Sequence, residues 1–96
     1  DHVTDQPERF LVAELIREKT LRLTYQEVPH SIAVLIDLWE QQQGRLTIAA
    51  SIVVEREGQK AIVIGAQGQM LKRIGTEARQ EIESLLGQRV YLELFV

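Results

Sequence analysis

Three stretches of the chain alternate apolar with polar residues at the period of a β-strand. They cover residues 32–39, 46–55 and 90–96, and the polar segment 41–45 separates the first two. A period of two predicts strands that bury one face, and the short polar connection predicts that the first two strands form an antiparallel hairpin.

The alternation also assigns the residues of each strand to a face. In the first two strands the even-numbered residues are expected to face the core, which leaves the odd-numbered residues on the outer face. By this parity the outer face exposes five large apolar side chains: Leu35, Trp39, Val53, Tyr91 and Phe95. We expect Trp39 to cover a strand end, and stacking on a nucleic-acid base is the alternative.

Apolar residues recur at helical spacing in segments 7–23, 59–64 and 68–86. Asp5 and Glu8 have the spacing of a capping box at the start of the first helix, and Gly87 is placed to end the third. Gly75 lies within the third helix, where the close approach of a neighbouring backbone or of a ligand would explain a glycine.

The resulting order of elements is α-β-β-α-α-β. Three strands cannot bury both faces of a sheet, so all three helices are expected on one face of a mixed sheet, in a two-layer α/β sandwich of the α+β class. No internal repeat or linker divides the sequence, and residues 1–96 are therefore expected to form a single domain.

Composition excludes several kinds of chemistry. The 96 residues include no cysteine, which removes disulfides, zinc thiolates and thiol catalysis. No apolar run approaches the roughly 20 residues of a membrane span. The formal net charge is −3, yet segment 58–79 contains four basic residues against Glu77 alone. This local excess suits an anionic ligand, although a solvated helix face would give the same count.

The segment Gly65-Ala66-Gln67-Gly68 stands between the second and third predicted helices. Its two glycines allow a positive φ and the close approach of another backbone. The following helix points unpaired N–H groups and the positive end of its dipole into the same space, which suits a phosphate. A Gly-x-x-Gly segment is also typical of a tight helix–turn–helix connection that binds nothing.

The residues around this turn resemble the KH domain, an RNA-binding module whose Gly-x-x-Gly loop holds a single-stranded backbone. Ile64-Gly65 precedes the turn, and Gly68, Leu71, Lys72 and Ile74 follow the spacing of that family. The order of elements resembles the type II KH fold. Segments 4–10, 13–19, 27–31, 74–79 and 90–96 further resemble the C-terminal KH domain of the Era GTPases, over nearly the whole chain.

The resemblance implies a site for single-stranded RNA around the turn. The residues expected to bind RNA are Lys60, Ile64, Gly65, Ala66, Gln67, Gly68, Gln69, Leu71, Lys72 and Arg73. In this interpretation the amides of residues 66–69 face phosphate, the three cations neutralise charge, and residues among Ile62, Val63, Ile64 and Leu71 line a groove for bases. Arg79 is expected to be a surface residue. Many relatives have lysines where this chain has Ala66 and Gln67, so weaker or less salt-dependent binding is expected.

The resemblance also implies a context for the domain. Era-like proteins have an upstream Ras-like GTPase domain, with residues 1–4 here as the end of its linker, and they assist maturation of the bacterial small ribosomal subunit. Their KH domain binds near the 3′ end of the small-subunit ribosomal RNA. The expected location is cytoplasmic, with a fraction at the inner membrane in some members, and a monomer is expected.

This sequence has no Gly-x-x-x-x-Gly-Lys-Ser/Thr phosphate loop, so the chain is not expected to be an enzyme. Cofactors are expected only for the upstream domain, as GTP and magnesium, with no metal site and no catalytic residue here. The alternative function is a protein-interaction domain, with the outer sheet face docking onto a GTPase domain or a ribosomal protein.

Overall fold

The computed structural model describes residues 6–25, 27–28 and 30–96. The predicted cap Asp5, the predicted linker 1–4 and Pro29 lie outside the described residues. The elements follow the predicted order: α1 (Gln6–Leu23), β1 (Ala33–Gln42), β2 (Arg45–Val53), α2 (Glu57–Ile64), a 3-10 turn (Ala66–Gly68), α3 (Gln69–Leu86) and β3 (Arg89–Phe95). The predicted helix end at Gly87 is confirmed, since its N–H donates to the carbonyl of Glu83 at 2.8 Å.

The three strands form one mixed sheet in the order β1-β2-β3. The hairpin partners β1 and β2 are antiparallel, whereas β2 and β3 are parallel, with Ile48 opposite Leu92 and Ala50 opposite Leu94. Returning to a parallel strand requires a crossover, which α2 and α3 provide on one face of the sheet. The expected α+β fold is confirmed, and β3 is an edge strand with one side of its backbone unpaired.

The core lies between the inner face of the sheet and the helices. The even-numbered residues of β2 fill the sheet side, with Ile48 and Ile52 at most 1% exposed. Ile74, Ala78 and Ile82 of α3 are fully buried, because a spacing of four residues keeps them on one stripe of the helix. These contacts fix α3 above β2 and β3.

Two cations hold α1 in place. Arg17 donates through Nε to the carbonyl of Ile32 at 3.0 Å and through its terminal nitrogen to the carbonyl of His30. Lys19 is only 5% exposed and forms ion pairs with Glu77 and Glu81 of α3. A buried lysine would destabilise the fold unless its charge were paired, so this contact constrains α1 against α3.

Trp39 does not lie where the alternation placed it. Ile36 is paired with Ala50 and Leu38 with Ala49, so Asp37 is an extra residue in β1, a β-bulge. Because one extra residue reverses the parity beyond it, Trp39 turns to the inner face and packs against the core. The guanidinium carbon of Arg9 lies 5.6 Å from the centre of its ring. The prediction of an outward Trp39 is therefore wrong.

The rest of the predicted outer face is confirmed. Leu35, Val53, Tyr91 and Phe95 are all about half exposed. Leu38 takes the outward position that parity gave to Trp39, at 39% exposure. Asp37, within the bulge, accepts a hydrogen bond from the hydroxyl of Ser51 at 2.6 Å.

The bulge predicts that alanine substitutions at two neighbouring residues lower the stability of the fold by different amounts. Trp39→Ala should lower the free energy of unfolding by about 2 kcal/mol, because it removes a half-buried aromatic side chain from the core. Leu38→Ala should lower it by about 1 kcal/mol or less, because that side chain faces outward. Urea unfolding of both variants measures the difference, and equal losses would contradict the reversed parity.

Candidate nucleic-acid interface

Gly65 joins α2 to the turn in a conformation that other residues rarely adopt, with φ 77° and ψ 174°. A Cβ on this residue would lie 2.6 Å from the Cβ of Met70 and 2.8 Å from its backbone nitrogen. Such contacts are far inside van der Waals distance. The start of α3 can therefore approach the end of α2 this closely only because residue 65 has no side chain.

Gly68 has a different role, although the sequence motif pairs it with Gly65. Its φ of 76° and ψ of 11° are left-handed, a region that asparagine and aspartate also tolerate. A Cβ here would meet nothing within 4 Å. Residue 68 therefore faces open space at the N-terminus of α3.

The turn offers fewer free amides than expected. The N–H of Gly68 donates to the carbonyl of Gly65 at 3.1 Å, and that of Gln69 donates to Ala66. Ala66 and Gln67 begin the 3-10 turn, and the first N–H groups of such a turn have no acceptor within it. The expectation that all four amides face phosphate is thus reduced to these two.

A groove of about 380 Å³ begins at the turn and lies between α3 and β3. Its lining consists of Gly68, Leu71, Lys72, Gly75, Thr76, Arg79, Leu92, Glu93 and Leu94. A Cβ on Gly75 would lie 3.6 Å from the side chain of Leu94, which is an ordinary van der Waals distance. Among the described residues, the expected close approach of a neighbouring backbone is not observed, and packing does not explain this glycine.

The structure divides the predicted site residues into three groups. Gly68, Leu71 and Lys72 line the groove. Gln69 and Arg73 line a neighbouring shallow cleft on α3, together with Lys72, Thr76 and Glu77. The remaining predicted residues line neither the groove nor the cleft; they are Lys60, Ile64, Gly65, Ala66 and Gln67. The RNA-binding role of each residue stays a prediction.

The predicted lining of the groove needs correction. Val63 is fully buried, so its side chain is not available to bases. Ile62 is partly buried and does not line the groove. The apolar lining comes instead from Leu71 and from two half-buried residues of β3, Leu92 and Leu94.

Arg79 is the main residue that the sequence analysis missed, since it lines the groove rather than an unrelated surface. Its spacing was a usable signal, because Gly75, Thr76 and Arg79 follow Lys72 by three, four and seven residues. This spacing places all four along one face of a helix. The contribution of β3 had no comparable signal, because it depends on the strand order.

Most arginine charge near the groove is already paired. The Nε of Arg73 donates to Glu77 at 3.0 Å, and Arg79 donates to Glu83 at 3.1 Å. The hydrogen bond from Arg73, with smaller effects of Arg73 and Lys19 charge, lowers the pKa of Glu77 against an opposing effect of burial. Among the described residues, Lys60 and Lys72 form no ion pair.

Comparisons with known proteins agree on the class of domain. A model of the KH domain family matches residues 27–95. GTPase Era of Geotalea uraniireducens is 61% identical over 97 residues, and that of Geobacter sp. strain M21 is 59% identical; each match covers the whole chain and 33% of the relative.

Two solved Era structures are similar to this chain in fold and sequence, each with a TM-score of 0.87 and 50% identity. One is an Aquifex aeolicus Era variant bound to GDP·AlF4−, and the other is Era in complex with MgGDPNP and nucleotides 1506–1542 of 16S ribosomal RNA. Each match covers 96% of this chain and 32% of the solved chain.

The sheet order, the glycine turn and the groove between α3 and β3 together define a KH domain, and the chain belongs to the KH domain family. Its relatives show it to be the KH domain of an Era-family GTPase. The chain spans about a third of the length of those relatives.

The described residues provide neither a membrane-spanning helix nor a cluster of metal ligands. None of the helices there is long and apolar enough to cross a membrane. The same part of the chain contains no group of three or more His, Asp or Glu side chains arranged to hold a metal ion.

The two glycines predict different responses to the same substitution. Gly65→Ala should lower the free energy of unfolding by about 3 kcal/mol or more, because it adds backbone strain and a clash with Met70. Gly68→Ala should cost about 1 to 2 kcal/mol, because it adds only the left-handed strain. Chemical denaturation of the two variants tests this, and losses of equal size would contradict the different roles.

Proposed function

We propose that this domain binds single-stranded RNA, with the phosphate backbone against the turn and the bases in the groove between α3 and β3. The observation that carries the proposal is an apolar groove that begins at the glycine turn, beside the N-terminus of α3. Membership of the KH family supports it, as does the complex of a 50% identical Era with nucleotides of 16S ribosomal RNA.

The turn would hold the backbone of the RNA. The N–H groups of Ala66 and Gln67 donate to phosphate oxygens, and the positive end of the α3 dipole adds to the attraction. Lys72 lines the groove, forms no ion pair among the described residues and supplies a full charge, although Glu93 lines the same groove. The side chain missing from Gly68 leaves room for the strand to pass.

The groove would hold the bases. Leu71, Leu92 and Leu94 provide apolar surface on which unstacked bases can lie. The unpaired edge of β3 presents backbone donors and acceptors at a fixed spacing, which suits the edges of bases. Arg79 contributes donors at the same place, and its pairing with Glu83 limits its freedom to move.

The volume of the groove limits how much RNA it takes. A groove of about 380 Å³ suits a short segment of RNA. Since the ribosomal RNA in the related complex is much longer, this groove would recognise only a small part of such a molecule.

The similarity to Era GTPases supports a proposed role in ribosome assembly. We propose that the RNA is the 3′-terminal region of the small-subunit ribosomal RNA, and that binding serves maturation of that subunit in the bacterial cytoplasm, with a fraction at the inner membrane. The domain itself would be a single non-enzymatic unit and a monomer. A GTPase domain elsewhere in the full-length protein would bind GTP and magnesium.

A second candidate function is docking of a protein on the outer sheet face. Leu35, Leu38, Val53 and Phe95 leave apolar surface exposed there, on the side of the sheet away from the helices. Because the groove and this face are on different sides of β3, RNA and protein binding would be compatible. A GTPase domain or a ribosomal protein is the partner this hypothesis names.

Substitution of Gly68 tests RNA binding at the turn. Gly68→Asp should weaken binding of a short RNA that matches the small-subunit 3′ end by about ten-fold or more, because a carboxylate would meet phosphate. Gly68→Asn is the matched control, since its side chain has the same shape without the charge and tolerates the same backbone conformation. Fluorescence anisotropy measures both affinities.

The two variants must first be shown to unfold at similar denaturant concentrations. If the aspartate and asparagine variants then bind RNA with equal affinity, phosphate does not approach residue 68 and the proposed site is wrong.

A further inference from the structure

Arg73 stands beside the groove, yet its charge is held by Glu77. The Nε of Arg73 and the Oε2 of Glu77 are 3.0 Å apart, and the two residues are one helical turn apart on α3. An exposed pair with this spacing is normally weak and opens readily in water. Taken alone, it would not restrain Arg73.

The carboxylate of Glu77 is held from a second direction. Its Oε1 lies 3.5 Å from the Nζ of Lys19, a residue of α1 that is only 5% exposed. Lys19 also pairs with Glu81, so one buried cation fixes two carboxylates of α3. Glu77 therefore stays next to Arg73, because moving away would leave the charge of Lys19 less well paired in the protein interior.

This arrangement restricts the positive charge that reaches RNA. Arg73 lines the cleft next to the groove, where Lys72 and Thr76 belong to both. A guanidinium that is free at this position would reach a backbone lying along the turn. Paired with Glu77, it has to give up a charge-assisted hydrogen bond before it binds a phosphate.

We propose that Glu77, held in place by Lys19, limits the affinity of this domain for RNA by withholding Arg73 from the phosphate backbone. The inference rests on the proposed RNA binding. Contacts with phosphate carry no sequence information, so their removal lowers affinity for all RNAs and leaves selectivity to the bases in the groove. Glu77 would thus set the affinity and the salt dependence of RNA binding without touching a base.

The chain offers a matched pair of variants for the test. Glu77→Gln and Glu81→Gln remove the same charge from the same helix, and each removes one ion pair with Lys19. Only Glu77→Gln also releases Arg73. Binding of the small-subunit 3′ RNA and of an oligouridine of equal length would be measured over a range of salt concentrations.

Glu77→Gln should bind RNA about three-fold more tightly at low salt, with a salt slope steeper by about 0.7, the value for one added phosphate contact on a single strand. The gain should be the same for oligouridine, so the ratio of the two affinities should stay unchanged, because a phosphate contact carries no sequence information. Glu81→Gln should keep the wild-type slope and ratio. Adding Arg73→Ala to Glu77→Gln should cancel the gain, whereas Arg73→Ala alone should change affinity by less than about two-fold.

Equal behaviour of the two glutamine variants would overturn the inference, and so would a gain that survives the loss of Arg73. Both results leave the proposed function intact, provided that the wild type binds the RNA. Absence of binding by the wild type would instead remove the proposed function, and this inference with it.

Discussion

The contact between Gly65 and Met70 sets the geometry on which the candidate site depends. It allows α2 to end and α3 to begin within a few residues, with the backbone of Met70 in the space that a side chain at position 65 would occupy. The first turn of α3 consequently lies at the end of the groove, which Gly68, Leu71 and Lys72 line. Packing of α3 on β2 and β3, through Ile74, Ala78 and Ile82, holds that turn at a fixed distance from the edge strand.

Most of the cations of α3 near the groove are paired with carboxylates. The chain is acidic overall, and both arginines of α3 near the groove are paired with glutamates one turn later. Of the two cations that line the groove, Arg79 is paired with Glu83, whereas Lys72 forms no ion pair in the described part of the chain. A domain built in this way depends on amides and on base contacts, both of which lose less affinity with rising salt than ion pairs do.

The sequence predicted the elements and the turn because their signals are local. Alternation identified all three strands, and helical spacing identified all three helices to within about two residues. Trp39 was misplaced because the bulge at Asp37 has no signature in the alternation, and one extra residue reverses every side chain beyond it. Leu92 and Leu94 were missed as groove residues because their position beside α3 depends on β3 pairing in parallel with β2, which is a property of the tertiary fold. Arg79 was missed although its helical spacing from Lys72 is a signal in the sequence.

The central claim is that RNA lies along the turn, α3 and the free edge of β3. Amide chemical shifts of the 15N-labelled domain, followed during titration with a short RNA matching the small-subunit 3′ end, test it most directly. The largest changes should fall on Ala66, Gln67 and residues 92–94, with small changes at Leu35 and Val53 on the outer face. Largest changes on that outer face, with the turn unaffected, would contradict the account.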